Sequence, residues 1–409
     1  MLFHFAFYSS ILLIFFVHML VYAILLFVKY VKQKQQSNLW LGLFLVVAVL
    51  YIAPWMVGFA GWYGQQPYRD ILFYTPFHQL FLIGPLIFFY VNSLFNPSFK
   101  ITKKEFIHFV PAILYLIFSI IIVVYDKLIV HEYYFLKSEQ DPDFDTWYQI
   151  AGFISMISYF IASIRYYQSY KKAIEAILSN TANFLFLWVR NFLIAFLVIL
   201  ISWFVLALAD TFLELKYINS WWYFFSFAIC CYYIAIAGYA NAVEAKFFFK
   251  TKIFSPQNIV LLQENKPEFL LANSTNNFEA IEIEETKEIT SKNTIEFEIW
   301  KQKIEEVLLK NKMYQEPELT LFDVAQKLNT NISFLSKAIN NAFQCNFNDL
   351  VNGYRIEAFV ELIKKGENKK QTILSLAFEC GFNSKATFNR AFKKIKAISP
   401  QEYIKKNSF

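Results

Sequence analysis

Apolar residues in the first 240 positions fall into seven long blocks, without the alternation expected of surface helices or strands. Each block is close to the ~20 residues with which a helix crosses a hydrocarbon core. The blocks are Phe3–Val28, Leu39–Ala60, Ile71–Phe95, Phe106–Tyr125, Trp147–Tyr167, Phe184–Ala209 and Trp221–Ala240. The pattern predicts a seven-helix transmembrane domain over residues 1–250.

The last ninety or so residues show a different pattern, in which short amphipathic stretches are separated by turn residues. A helix is predicted over Thr372–Phe378 and a second over Ser384–Lys394, with a tight turn between them. Ala377 is small where the two helices would cross, and Gly381 tolerates a left-handed turn. The stripe predicted to pack the second helix on the first consists of Phe382, Phe388 and Phe392.

The same plan occurs once earlier in the chain, which makes a tandem helix-turn-helix. Asn329 stands at the earlier turn, since asparagine adopts left-handed φ more readily than most residues. The apolar positions of this first unit are Leu321, Val324, Ala325, Leu328, Leu335 and Ile339. Asn348–Lys365 is predicted as a spacer helix between the units, with Leu350, Tyr354, Ala358 and Leu362 on its apolar side.

A long ordered set of residues runs through the second unit. It comprises Ala377, Gly381 and Phe382, then Phe388, Arg390, Phe392 and Lys393, and finally Ser399, Pro400 and Tyr403. This order resembles the AraC/XylS family of transcription regulators, and the resemblance covers about Leu319–Lys406. Cys345 and Ala397 depart from it, because the family usually has glycine at these turns. Each departure costs about 1 kcal/mol where left-handed φ is needed.

The resemblance implies two recognition helices that enter the major groove of double-stranded DNA about one helical turn apart. Polar and basic side chains on such helices can contact base edges and phosphates. The base-facing candidates are Ser333, Ser336 and Lys337 in the first unit and Lys385, Ala386, Thr387 and Arg390 in the second. The phosphate-facing candidates are Ser384, Lys393 and Lys394. Arg390 is the strongest candidate, because a guanidinium can bridge two acceptors of guanine.

A solvated helix face is the alternative interpretation of any single basic residue in this set. The charge distribution favours DNA binding for the set as a whole. Residues 319–409 hold 14 Lys and Arg against 7 Asp and Glu, whereas residues 264–318 hold 7 against 13. The formal net charge of +6 therefore conceals a basic domain that follows an acidic connector.

Composition and loop charge extend the membrane interpretation. The chain is 57% hydrophobic and only 17% charged, whereas soluble domains have about 25% charged residues. The loops after the first, third and fifth blocks are basic, and the loop of residues 126–145 is acidic. The positive-inside rule places the basic loops in the cytoplasm. We therefore expect a multi-pass inner-membrane protein with its N-terminus outside and its C-terminal domain in the cytoplasm.

Between the two halves, residues 251–294 have no clear period and are predicted to be an acidic, polar linker. Residues 295–317 are predicted as an amphipathic connecting helix, with Ile299, Trp300, Ile304, Val307 and Leu308 at helical spacing. This helix would pack on the tandem helix-turn-helix domain, residues 318–409. Pairing with a second copy of the chain, which would make a homodimer, is the alternative.

Catalytic and metal-binding patterns are not found in the sequence. It has no nucleotide-binding loop, no nucleophile with a nearby base and no metal-ligand spacing, so we expect neither an enzyme nor a cofactor. His78 lies between Pro76 and Pro85 inside the third apolar block. A histidine there is either a polar packing residue or a contact for a ligand.

The sequence as a whole predicts an all-α chain with a transmembrane bundle and a cytoplasmic DNA-binding domain. Its expected function is membrane-anchored transcription regulation, in which the bundle responds to an unknown signal ligand or membrane protein. Two alternatives remain. One is a transporter or membrane enzyme with an attached DNA-binding domain, and the other is a regulator that the bundle only anchors.

Overall fold

The fold was examined in a computed structural model of the chain. It describes residues 4–96, 99, 101–136, 141–177, 186–213, 215–241, 247–252, 255–263 and 292–407. The chain divides into two compact units. The N-terminal unit comprises residues 1–167, 185–254 and 261–270, and the C-terminal unit comprises residues 168–184, 255–260 and 271–409.

Eight α-helices account for most of the described residues up to Asn241. They are α1 (Phe7–Gln33), α2 (Gln36–Gly58), α3 (Tyr68–Tyr74), α4 (Leu80–Phe95), α5 (Val110–Val124), α6 (Thr146–Ile177), α7 (Phe186–Leu213) and α8 (Trp221–Ala240). Single turns of 3₁₀ or π-helix adjoin them at Trp62–Gly64, Glu105–Phe109, Tyr125–Val130, Pro142–Phe144 and Tyr217–Ser220.

Six helices in the described part of the chain are long and apolar enough to cross a membrane, against the seven predicted. The third predicted block, Ile71–Phe95, is the difference. It breaks between α3 and α4, and α4 has 16 residues, or about 24 Å of helix against the ~30 Å of a typical hydrocarbon core. The prediction of one continuous span over this block was therefore wrong.

The break has a local cause and a distant one. Pro76 has no backbone N–H to continue a helix. The N–H of His78 instead donates to Asp143 Oδ2 at 2.9 Å, and its carbonyl accepts a hydrogen bond from the Tyr148 hydroxyl. Side chains some 65 to 70 residues later thus satisfy the unwound backbone, which a hydropathy pattern cannot anticipate.

The first and last apolar helices run parallel to each other. Near their starts, the indole N–H of Trp221 donates to the carbonyl of Tyr8 at 3.1 Å. Near their ends, Lys29 Nζ donates to the carbonyl of Tyr239 at 2.9 Å. The two helices therefore point in the same direction along the N-terminal unit.

The predicted linker, residues 251–294, is only partly described. Two strands, β1 (Phe247–Lys252) and β2 (Ser255–Gln263), adjoin or occupy its start, where we predicted no regular structure. The apolar run Ile259–Leu262 suits a strand. Residues 264–291, the greater part of the predicted linker, lie outside the described residues.

The described remainder of the C-terminal unit is helical. It contains α9 (Lys292–Glu305), α10 (Leu321–Lys327), α11 (Ile332–Phe343), α12 (Phe347–Lys364), α13 (Ile373–Glu379), α14 (Lys385–Lys396) and α15 (Pro400–Lys406). A π-helical turn at Glu306–Lys310 extends α9, and short 3₁₀ turns lie at Met313–Gln315 and Glu367–Lys369.

Backbone angles test the turn predictions. Asn329 and Gly381 have φ of 51° and 94°, so both predicted left-handed corners are confirmed. Ala397 also has positive φ, 62°, which is the strained case expected for a residue that replaces glycine. The expectation for Cys345 was wrong by one position, because Gln344 is the residue with left-handed φ, at 53°.

Candidate DNA-binding surface

In each helix-turn-helix, a side-chain cap fixes the start of the second helix, and an apolar face packs that helix on the core. The side-chain oxygen of Asn331 accepts the Phe334 N–H at 2.6 Å at the start of α11. Ser384 Oγ accepts the Thr387 N–H at 3.2 Å at the start of α14. Such caps satisfy backbone donors that have no partner inside the helix, and so fix the residue at which each helix begins.

The predicted apolar positions of both units are confirmed as core. In the first unit, Leu321, Val324, Ala325, Leu335 and Ile339 are buried together, and Leu328 packs at their edge. In the second unit, Phe382, Phe388 and Phe392 are at most 1% exposed. Phe388 and Phe392 pack against Phe359 of α12, and Phe382 packs against Phe388. The polar faces of α11 and α14 are thereby directed outward.

The connecting helix α9 packs on the first unit. Ile304, Val307 and Leu308 are buried in the core of that unit. Trp300 meets Phe334 of α11 edge-on, with ring centroids 5.0 Å apart. Ile299, by contrast, is half exposed. The segment that precedes the first helix-turn-helix is therefore in direct contact with α11, the helix that carries the first set of predicted DNA contacts.

The spacer helix α12 belongs to both cores. Leu350 and Val351 near its start are buried with the first unit, and Ile356 and Phe359 are buried with the second. The predicted apolar side was partly wrong, since Tyr354, Ala358 and Leu362 are only half-buried. A helix shared in this way fixes the distance between the two recognition helices instead of only connecting them.

Arg355 completes this connection. The side chain is fully buried. Its Nε donates to the Tyr314 carbonyl and its Nη2 to the Glu316 carbonyl, both at 2.7 Å. The guanidinium also lies 5.7 Å from the ring centroid of Phe382. Burial lowers the pKa of Arg355 to about 10, so the group remains charged at neutral pH. Sequence periodicity gave no indication of this residue.

Most of the predicted contact residues lie on the outward faces. Ser336 of α11 is half-buried and Lys337 is exposed. On α14, the exposed members of the set are Lys385, Ala386, Arg390, Lys393 and Lys394, together with the neighbouring Asn389. The side chain of Ser333 lies outside the described residues. The two helices thus present the basic surfaces that the sequence predicted, while contact with DNA stays a prediction.

Three predicted residues have structural roles that the sequence did not show. Thr387 is 2% exposed, and its Oγ1 accepts a hydrogen bond from Ser384 at 3.0 Å. Its burial is inconsistent with a base contact, so we correct that assignment. Ser384 is the cap of α14. Lys394 Nζ lies 2.6 Å from Asp349 Oδ1 of α12, so it pairs with an acid of the spacer helix in the absence of DNA.

Two capped, outward-facing recognition helices joined by a shared spacer define a double helix-turn-helix domain. Residues 324–406 match the family described as Helix-turn-helix domain, of the AraC type. The match covers the tandem units and supports DNA binding by this part of the chain. No curated protein and no solved structure matches the chain.

Arg390→Ala is expected to weaken binding to a preferred site by about 1 to 3 kcal/mol and to relax the preference at one base pair. Lys393→Ala is the matched control on the same helix, because loss of a phosphate contact weakens all sequences about equally. Binding titrations on a selected site and on random DNA measure both effects. If Arg390→Ala lowers both affinities by the same factor, Arg390 contacts phosphate and not a base.

Proposed function

We propose that the protein is a membrane-anchored, sequence-specific transcription regulator, in which the N-terminal unit carries a membrane or extracytoplasmic signal to promoter binding. One observation carries the proposal: a domain of the AraC helix-turn-helix type follows six helices long and apolar enough to cross a membrane, counted in the described part of the same chain. Globular DNA-binding domains have no need of such helices.

Parallel α1 and α8 support the orientation in this proposal. Both helices are long and apolar enough to cross a membrane, and two parallel membrane-spanning helices put the start of α1 and the residues after α8 on opposite sides of the bilayer. Loops rich in lysine follow the first, third and fifth apolar blocks, and such loops remain in the cytoplasm. The DNA-binding domain then lies in the compartment that contains DNA.

Packing of α9 on α11 supports the coupling part of the proposal. A signal that travels along the chain reaches the first recognition helix through α9. Such a signal requires two arrangements of α9 on α11. It changes DNA binding only if the protein in one arrangement binds the signal ligand or DNA more tightly than the protein in the other.

Salt dependence of DNA binding tests the regulator part of the proposal. A fragment of residues 295–409 should bind duplex DNA with an affinity that falls as salt rises, because each neutralised phosphate releases counterions. Lys337, Lys385, Arg390 and Lys393 are exposed on the two helices. If each of these four cations displaces one counterion from the DNA, whether it lies against a base or a phosphate, the log–log slope is roughly −3 to −4. An affinity that does not vary between low and moderate salt would contradict DNA binding by this surface.

Reporter fusions test the orientation. A reporter that is active only in the cytoplasm should be active at the C-terminus of the chain. A reporter that is active only after export should be active when inserted after Glu132, in the acidic loop. The reverse pair of results would contradict the assigned sidedness.

A further inference from the structure

The N-terminal unit contains a cavity of about 710 Å³. Its lining comes from the end of α2, the α2–α4 connection, the loop before α6 and the turn before α8. Half of the lining residues are aromatic: Trp55, Tyr63, Phe73, Phe144 and Tyr217. A cavity of this volume and lining is typical of small-molecule sites.

Aromatic contacts hold part of this wall in place. The Tyr217 ring is stacked on Trp55, with centroids 5.0 Å apart and planes 13° apart. Phe144 meets Trp55 edge-on at 5.5 Å. The rings therefore form a fixed surface before any ligand binds, and their π faces attract cations.

Asp141 lies on the cavity wall, and one of its carboxyl oxygens lacks a hydrogen-bond donor among the described residues. The residue is 5% exposed. Its Oδ1 accepts the Asp143 N–H at 2.9 Å, whereas its buried Oδ2 has no hydrogen-bond partner within the described part of the chain. Burial, reinforced by Asp143, raises the pKa of Asp141 well above its ordinary value. An acceptor in this state lacks the donor that buried oxygens normally have.

Asp143, the neighbouring acid, differs from Asp141 in that both of its carboxyl oxygens accept hydrogen bonds. Asp143 is also buried, but it accepts the Tyr115 hydroxyl at 2.5 Å and the His78 N–H at 2.9 Å. Asp143 therefore stabilises the break between α3 and α4. Among the described residues, nothing gives the second oxygen of Asp141 a comparable structural role, although Asp141 lines the cavity.

We propose that this cavity binds a small organic amine in its protonated form, with an ammonium N–H donating to Asp141 and the apolar part of the ligand packed on the aromatic rings. When Asp141 is ionised, as the bound amine requires, the cavity wall holds two carboxylates, Asp141 and Asp145, against one guanidinium, Arg69, which favours a cationic ligand over an anionic one. The identification of this amine as the regulatory signal rests on the proposed function, whereas its binding does not.

The test uses the full-length protein in lipid nanodiscs and calorimetry with 2-phenylethylamine, without DNA. The neutral control is 2-phenylethanol and the anionic control is phenylacetate. The amine should bind about tenfold or more tightly than the alcohol, since a hydrogen bond between charged groups contributes more than a neutral one. Asp141→Asn, which keeps Oδ1 for the Asp143 N–H, should remove this advantage. Glu132→Gln, the matched control at an exposed position of the same acidic loop and outside the cavity wall, should change the amine affinity less than threefold.

A pH series on the unaltered protein gives a second test that needs no variant. Asp143, Asp145, Arg69, Tyr63 and Tyr217 are the other titratable groups around Asp141. Amine binding requires ionised Asp141, and burial raises the pKa of this carboxyl, so its ionised fraction increases with pH. Affinity for the amine should therefore rise between pH 6 and pH 8, and affinity for the alcohol should not.

Equal affinities for amine and alcohol, tighter binding of phenylacetate, or an amine affinity that does not vary with pH would each overturn the proposal. Full amine affinity in a folded Asp141→Asn variant would do the same. DNA binding by that variant is measured separately. Loss of DNA binding alone would count against the proposed regulator and leave the amine site intact.

Discussion

Gly381→Ala is expected to destabilise the C-terminal unit by about 3 kcal/mol or more. Gly381 has φ of 94°, which an alanine adopts only with strain. A Cβ at this position would lie 2.7 Å from the carbonyl oxygens of both Tyr314 and Gln315. Backbone atoms cannot move aside as a flexible side chain can, so strain and overlap add. Urea unfolding of the 295–409 fragment measures the change.

Two other glycines separate these contributions. Gly366 has φ of 77° and open space around the Cβ position, so Gly366→Ala should cost only the backbone strain, about 1 kcal/mol. Gly353 lies inside α12, also with open space, and Gly353→Ala should stabilise by roughly 0.5 to 1 kcal/mol. Equal losses at Gly381 and Gly366 would contradict the close approach of the Tyr314–Gln315 backbone.

Arg355→Met is expected to cost about 3 kcal/mol or more, because it removes a fully buried side chain and both of its hydrogen bonds to the carbonyls of Tyr314 and Glu316. Arg355→Lys keeps the charge, but one ammonium cannot reproduce the planar fork, so we expect an intermediate loss. Lys365→Met, at an exposed position next to the end of α12, is the control and should change stability by less than about 0.5 kcal/mol.

Substitution of Arg355 is also expected to change DNA binding. Arg355 and Gly381 both contact the segment Tyr314–Glu316, which precedes the first helix-turn-helix. Loss of this junction should therefore weaken binding to a full site more than binding to either half-site, because the spacing of α11 and α14 is no longer fixed. Equal weakening on full and half-sites would show that Arg355 affects stability alone.

The sequence predicted the double helix-turn-helix well because its information is local. The Phe382, Phe388 and Phe392 stripe and the left-handed corners at Asn329 and Gly381 all act within a few positions of the chain. Local patterns also suffice for long apolar helices. These features determine where helices begin, end and bury a face.

Residues whose roles depend on distant parts of the chain could not be predicted in this way. Arg355 is buried because carbonyls some 40 residues earlier need donors. Thr387, one of the predicted base contacts, is instead enclosed beside its own helix cap. The acidic loop was interpreted from its charge alone. Its Asp141 and Asp143 are buried, and Asp143 helps to interrupt the third apolar block. Charge counts and hydropathy do not distinguish a solvated carboxylate from a buried one.

The central claim is that one chain joins a membrane-embedded unit to a sequence-specific DNA-binding domain. Its most direct test is genome-wide sequencing of the DNA crosslinked to the full-length protein in washed membranes, compared with a Lys385→Ala/Arg390→Ala double variant. We expect discrete promoter sites to be enriched with the unaltered protein and lost with the variant, both proteins being present in the membrane fraction. Recovery of the protein in the soluble fraction, or the same DNA profile with both proteins, would contradict the claim.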